Sequence, residues 1–324
     1  MRRLLVNDCL TTIPGTRTFW HDLQEWFGME FVGGDYATLA EKALGIILDT
    51  SGAIADQAPS VIIRNASWFP PMDSPADIPT ISLLQDIIAD GPQREMQEAV
   101  LASSHAAVFN SEFTRKHYGI VNKAYGAPEA PVIPLPVDFS LFQPGNAMGL
   151  QQELGLPDGC VLWVGASQGA AGTVKGWDIF LHVVRANPDL PFVAVFKDRA
   201  PDIVPPNLRV YERLPHTELV KVMGACRVGL CTSRTESQHL AGVEMGGCGL
   251  PMVAPKVGVY WSGGFPGTLV EKPEAPEYTQ AIRAALTHNS TPEMVSGMWR
   301  ERFDKPVIKA QWLKLIEEVE CSGR

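Results

Sequence analysis

The sequence predicts an α/β protein built from two doubly wound domains, each a parallel sheet covered by helices on both faces. Three observations carry this. Short apolar runs bounded by turn residues alternate with amphipathic stretches along the chain. The alternation is broken once, by the proline-rich stretch APEAPVIPLPVDFSLFQPG, and then resumes. The length of 324 residues suits two cores better than one. The expected division is 1–140, then 141–300, then a last segment 301–324.

In chain order, RRLLVND reads as a strand and TTIPGT as a turn. RTFWHDLQEWFG follows as a helix ended by Gly28. MEFVGG is a short strand and DYATLAEKAL a helix. GIILDT, SVIIRN and IPTISLLQD are buried strands, being short and apolar with turn residues at each end. GPQREMQEAVLASS is a helix with Pro92 in its first turn, HAAVFNS a strand, and SEFTRKHYG a helix with a serine cap. After the proline-rich connection, CVLWVGAS, PFVAVFK, LRVYERL and RVGLCTS read as strands. GWDIFLHVVRANP and PHTELVKVMGAC read as the helices between them. The tail MWRERFDKPVIKAQWLKLIEEVE carries apolar residues at helical spacing, including Val307, Trp312, Leu313 and Ile316. Of Trp20 and Trp26, six residues apart on one helix, one is expected in the core.

Composition narrows the function classes. The net charge of −9 is uneven: residues 1–140 hold nine Lys/Arg against seventeen Asp/Glu, and residues 141–324 hold eighteen against nineteen. The acidic first half opposes long-range attraction to anionic lipid or a nucleic-acid backbone. No apolar run reaches the ~20 residues of a membrane span, and the three apolar residues after Arg3 are too few for a signal peptide. Six cysteines without C-x-x-C or zinc spacing predict buried reduced thiols, so the expected location is cytoplasmic, without stable membrane insertion.

Parallel sheets bind ligands beyond the carboxyl ends of their strands, which places loops 8–16, 165–176 and 232–239 at a cleft between the domains. One stretch stands out there, SRTESQHLAGVEMGGCGLPMVAP, from Ser233 to Pro255. Glu236 follows the strand RVGLCTS by three residues, and Glu244 comes after seven more, inside a helix starting near Gln238 or His239. The first-turn amides of a helix lack intrahelical partners and attract anions. A carboxylate accepts from two neighbouring hydroxyls. Two carboxylates flanking such a helix start suit a ligand with phosphate in the middle and a sugar on each side, which is the form of a nucleotide sugar.

The stretch resembles the Glu–seven residues–Glu signature of the retaining family-4 glycosyltransferases, which have the GT-B fold of two Rossmann-like domains facing a central cleft. VFNSEFTRKHYG, VIPLPVDFSLFQP, VLWVGASQGAAGTVKGWDIFL and LPHTELVKVMGACRVGLCTSRTE resemble further family segments in the family's order, covering about residues 105–260. The resemblance implies an N-terminal acceptor-binding domain and a C-terminal domain for the nucleotide-sugar donor. A last helix would cross back to the first domain.

It also implies residue roles. Glu236 contacts the transferred sugar, and Lys175 neutralises the diphosphate. Glu244 holds the ribose, and the backbone at Ser237, Gln238, His239 and Leu240 faces sugar and phosphates. Ser167 and Gly15 lie against the donor. Ala166 and Ser167 stand where the family carries a phosphate-binding arginine, leaving Lys175 alone or with Arg234 or Lys197. Gln85 and Asp86 stand where a first-domain histidine is expected and are assigned to the acceptor. Arg64 and Trp68, in the loop RNASWFPP, form a candidate aromatic platform for it.

No Asp-x-Asp metal signature occurs, so the expected enzyme is a metal-independent hexosyltransferase without a cofactor, the nucleotide sugar being a co-substrate. The expected acceptor is a hydroxyl of a small glycan or metabolite. A hydroxylated base of phage DNA, extruded from its stack, is the alternative acceptor. A nucleotide-sugar-binding protein without turnover is the alternative of another class.

Overall fold

The structure is a computed structural model. It describes residues 3–6, 14–32, 60–65, 78–87, 91–102, 104–121 and 130–322. The expected helix DYATLAEKAL and strand GIILDT lie outside the described residues, as does Trp68. The chain divides into two compact units, residues 1–136 with 306–324, and residues 137–305.

In the first unit, strands β1 (Arg3–Val6), β2 (Glu30–Val32), β3 (Val61–Asn65), β4 (Thr80–Leu84) and β5 (Ala106–Phe109) form a parallel sheet in the order β2-β1-β3-β4-β5. Every residue of β4 is buried, as in a strand covered on both faces, and its two polar residues, Thr80 and Ser82, have hydrogen-bonded hydroxyls. Helices α1 (Pro14–Phe27), α2 (Pro92–Ala102) and α3 (Glu112–Val121) belong to this unit. Trp20 is the core tryptophan of its helix, with Trp26 half-buried.

The second unit resumes with α4 (Ala147–Leu154), whose Asn146 side chain caps the Gly149 amide and whose Gly155 turns left-handed at the end. Its strands β6 (Val161–Gly165), β7 (Phe192–Phe196), β8 (Leu208–Glu212), β9 (Val228–Leu230), β10 (Met252–Pro255) and β11 (Gly267–Val270) pair in parallel in the order β11-β10-β9-β6-β7-β8. Helices α5 (Gly169–Lys175), α6 (Trp177–Ala186), α7 (His216–Ala225), α8 (Leu240–Gly247), α9 (Ala275–Leu286) and α10 (Pro292–Phe303) connect and cover them. One core joins Val161, Trp163, Phe180, Phe192, Phe196 and Tyr278 across the sheet and its helices.

Counted from β6, this is the doubly wound order 3-2-1-4-5-6, which reverses direction between β6 and β9. The two connections leaving these neighbours diverge to opposite faces, so a crevice opens beyond their carboxyl ends.

The final helix α11 (Lys305–Ser322) runs into the first unit. Its Trp312 ring lies 5.8 Å from Phe19 of α1, and Glu320 accepts a 2.6 Å hydrogen bond from Ser60. The tail read as one helical stretch breaks at Asp304, between α10 and α11, and two elements near the expected ligand loops also differ from the sequence reading. α5 occupies GAAGTVK, which the glycines and small residues disguise as loop, and Gly15 is the second residue of α1 rather than part of a turn. Pro14 accounts for the latter: without an amide hydrogen, proline suits the first helical turn.

Candidate functional site

The reversal point between β6 and β9 brings together residues distant in sequence. From β6 the chain passes through Ala166, Ser167 and Gln168 into α5, which ends at Lys175. From β9 it passes through Cys231 to His239 into α8. Lys175 Nζ lies 2.5 Å from Glu236 Oε1, and Ser233 Oγ donates to the same oxygen at 2.7 Å. Among the described residues no donor reaches Glu236 Oε2. The Glu236 side chain is only 9% exposed. Burial pushes its carboxyl up, but the Lys175 charge and the hydrogen bonds from Lys175 and Ser233 outweigh that and hold it below the usual glutamate value. It is therefore ionised at neutral pH.

His239 caps α8 in the left-handed region, with φ 74°. A non-glycine residue there is strained, and such strain gathers at functional sites. Its ring turns inward and pairs through Nδ1 with the Tyr260 hydroxyl at 2.7 Å. Gly242 makes room, since a Cβ there would overlap both groups. Burial drives the His239 imidazole down to about 4, so it is neutral at pH 7. Beyond it, the amides of Leu240 and Ala241 have no backbone acceptor among the described residues. Gly258, φ 51°, brings the segment after β10 against the Gln238 carbonyl and the Glu236 Cβ, and the Val259 amide donates to that carbonyl at 3.1 Å.

Glu244 sits within α8, half-buried, and no hydrogen bond or ion pair to its carboxylate occurs among the described residues. Burial alone raises it to about 7. An unpaired carboxylate partly withdrawn from water is costly, and a ligand donating hydroxyls relieves the cost.

The structure thus assembles Lys175, Glu236, Ser237, Gln238, His239 and Leu240 around one reversal point, with Glu244 one helical stretch further on. Other expected residues are engaged elsewhere. The amides of Ser167 and Gln168 donate to the Asp198 carboxylate at 3.2 Å, so this loop is tied to the end of β7. Arg234 is not a spare phosphate cation: it grips Asp178 with two bonds of 2.8 and 2.7 Å, and its hydrogen bond holds Asp178 down at about 2. Lys197 is exposed at the end of β7.

In the first unit, Arg64 does not line a loop. It is buried, bonded to Ser82 at 2.9 Å and Ser104 at 3.3 Å, because β3 runs on through its position. Gln85 and Asp86 do follow the carboxyl end of β4, where their carbonyls accept from Asn110 and Tyr118. Ser233 and Tyr260 were missed as site residues. Ser233 stands three residues ahead of Glu236 and was legible as a hydroxyl close to the acid. Tyr260 carries no local signal, since only the fold returns it to His239.

Among the described residues no helix is long and apolar enough to cross a membrane, and no group of three or more potential metal ligands occurs. Cys160, Cys226, Cys231 and Cys248 are buried free thiols, and Cys321 is exposed.

No protein-family model matches the chain. Among curated proteins it is similar to D-inositol 3-phosphate glycosyltransferase of Segniliparus rotundus, 29% identical over 250 residues, covering 69% of this chain and 54% of that protein. It is also similar to D-inositol 3-phosphate glycosyltransferase 1 of Catenulispora acidiphila, 30% identical over 217 residues, covering 59% and 51%. The chain spans about half the length of the curated relatives it matches. Among solved structures it is similar to sucrose-phosphate synthase of Thermosynechococcus elongatus, with TM-score 0.75 at 14% identity over 99% of this chain and 100% of that one. Anabaena HepE, solved in complex with UDP, gives TM-score 0.75 at 16% identity over 98% and 100%. A glycosyltransferase of Rickettsia africae gives 0.76 at 12% over 98% of each chain. In its sequence signature and in its fold of two Rossmann-like units, the chain resembles family-4 glycosyltransferases of the GT-B class.

Proposed function

We propose that the chain is a retaining, metal-independent glycosyltransferase that moves a sugar from a nucleoside diphosphate sugar to an acceptor hydroxyl. The observation that carries this reading is the Lys175–Glu236 pair at the reversal point, next to the open amides of α8. Departure of a nucleoside diphosphate builds negative charge on its phosphates. Fixed cations and amides stabilise that charge without reorganising. Lys175 supplies the cation, as a mobile point charge able to turn from Glu236 to phosphate. Glu236 keeps Oε2 for a sugar hydroxyl while Oε1 is held by Lys175 and Ser233. Glu244 accepts the two ribose hydroxyls. The leaving phosphate oxygen takes the acceptor proton on the face where the new bond forms, so configuration is kept without a protein nucleophile.

The names of the relatives and the UDP-glucose complex of HepE support the donor class. Gln85 and Asp86 remain the proposed acceptor contacts, and the acceptor is a hydroxylated small glycan or metabolite. The buried free thiols fit a reducing compartment, so we place the enzyme in the cytoplasm.

The test is incubation with a panel of nucleotide sugars and acceptors, following released nucleoside diphosphate and the product's anomeric configuration by NMR. Release that persists in excess chelator, with configuration retained, is expected. An inverted product, or activity that chelator abolishes and a divalent cation restores, overturns the mechanism. Nucleotide-sugar binding without turnover across a broad acceptor panel favours a binding protein instead.

A further inference from the structure

The cation of the site stands on a joint. α5 ends at Lys175 and α6 begins at Trp177, with Gly176 alone between them. Thr232, fully buried just past β9, faces this joint. Its hydroxyl donates toward the Lys175 carbonyl at 3.1 Å and the Gly176 carbonyl at 3.0 Å, and accepts from Trp163 Nε1 at 3.0 Å. A hydroxyl has one hydrogen and two acceptor sites. The indole N–H therefore occupies an acceptor side and leaves the hydrogen for the joint.

Trp163 is itself held fast. Its ring stacks on Phe180 at 5.1 Å and packs against Trp177 and Phe196, and a Cβ at Gly165 would overlap it. The Thr232 carbonyl in turn fills the space that a side chain on Gly176 would need. The next two residues complete the bracket. Ser233 holds Glu236, while the Arg234 amide donates to the Val174 carbonyl at 2.8 Å and its guanidinium to the Thr173 carbonyl at 2.8 Å. Consecutive residues thus grip both halves of an ion pair: Thr232 and Arg234 hold the backbone that carries the lysine, and Ser233 holds the glutamate.

We propose that Thr232 is a positioning residue: braced by Trp163, its hydroxyl sets the α5–α6 joint so that Lys175 reaches Glu236 and, on the functional reading above, the donor diphosphate. Threonine differs from valine there by one hydroxyl at nearly constant shape. Valine leaves the Trp163 N–H and the Lys175 carbonyl without this partner, while the Gly176 carbonyl keeps only the Phe180 amide at 2.9 Å, so the joint drifts.

The test does not depend on turnover. In protein labelled with ¹⁵N-lysine, the Lys175 ammonium signal, assigned with Lys175→Arg, is expected to show slowed proton exchange from its bond to Glu236. Thr232→Val is expected to speed that exchange toward the free-lysine rate, and Thr232→Ser to keep the wild-type signal. Trp163→Phe, which removes the brace from behind, is expected to move the signal the same way as Thr232→Val. It decides the question if the valine variant fails to fold. In activity assays, Thr232→Val is expected to lower kcat about threefold to tenfold, the range for one hydrogen bond, with the acceptor KM unchanged and serine restoring kcat. A wild-type Lys175 signal in both Thr232→Val and Trp163→Phe overturns the proposal. Absence of any turnover by the wild type overturns the functional reading alone, and the ammonium signal still decides this one.

Discussion

Lys175 and Glu236, 61 residues apart in the chain, meet at 2.5 Å with only 24% and 9% of their side chains exposed. Removing the lysine strands a mostly buried carboxylate. Breaking a fully buried pair costs roughly 3–5 kcal/mol, and the residual exposure of this one reduces that to about 1–3 kcal/mol. Lys175→Ala is expected to lose that much in denaturant unfolding. Glu236→Gln, which removes the charge but keeps the shape, is expected to lose less. An equal loss in the two variants contradicts the account.

Turnover separates the two glutamates. Glu236→Ala is expected to reduce kcat mainly, since the proposed mechanism gives its open oxygen to the transferred sugar. Wild-type turnover in this variant refutes the sugar-orienting role. Glu244→Ala is expected to weaken binding of the free nucleoside diphosphate by roughly 1.5–3 kcal/mol, the range for a hydrogen bond to a charged group. An unchanged dissociation constant refutes the ribose role.

The same Glu244 predicts a pH dependence of binding. Its carboxyl titrates near 7 in the free protein, and hydroxyl donors prefer its ionised form. Nucleotide affinity is expected to rise as pH increases through 7, with a proton released on binding. Calorimetry in buffers of different ionisation enthalpy measures that proton, and Glu244→Gln is expected to abolish it.

Folding stability carries two opposed pH terms. Glu244 is raised from 4.5 to about 7 on folding, so its contribution is fully present below 4.5 and lost as pH rises through 7. His239 is lowered from 6.5 to about 4, so its contribution is present above 6.5 and lost as pH falls through 4. Between about 4.5 and 6.5 the two slopes cancel. Glu244→Gln is expected to unmask the histidine, giving stability that climbs with pH across this window, and to exceed the wild type at pH 8 by on the order of 2 kcal/mol. Thermal unfolding from pH 4 to 8 checks both; parallel profiles for the two proteins rule the assignment out.

Gly176→Ala tests the joint without touching a polar side chain. At φ 65° an L-residue is strained, and the new Cβ would overlap the Thr232 carbonyl. The expected loss is roughly 2–4 kcal/mol, larger than for a helix-surface glycine substitution because backbone meets backbone. Gly297, in α10 with open space around its Cβ position, is the control: alanine there is expected to be neutral or stabilising.

Much of this was legible along the chain. The buried strand FVAVF is apolar without alternation because both faces of a parallel sheet are covered, and that pattern is local. Glu236, His239 and Glu244 lie within nine residues, so one signature displays them together. α5 was hidden because GAAGTVK is poor in the apolar periodicity that marks a helix; its place comes from packing against its neighbours. Arg64 falls where the strand SVIIRN and the loop RNASWFPP overlap; β3 runs to Asn65, and pairing on both of its sides makes this a core arginine, which the local sequence does not record.

By itself, the sequence determined the α/β class, the two parallel sheets and the acids of the signature, since hydrophobic period and short-range spacing are properties of neighbouring residues. The tertiary structure alone decided that Lys175 pairs with Glu236, that Arg234 is spent on Asp178, that Tyr260 meets His239 and that Thr232 seats the joint beneath the lysine. Each of those contacts joins segments 21 to 61 residues apart. Strand order sets them, and strand order is a long-range outcome that no local run of residues records.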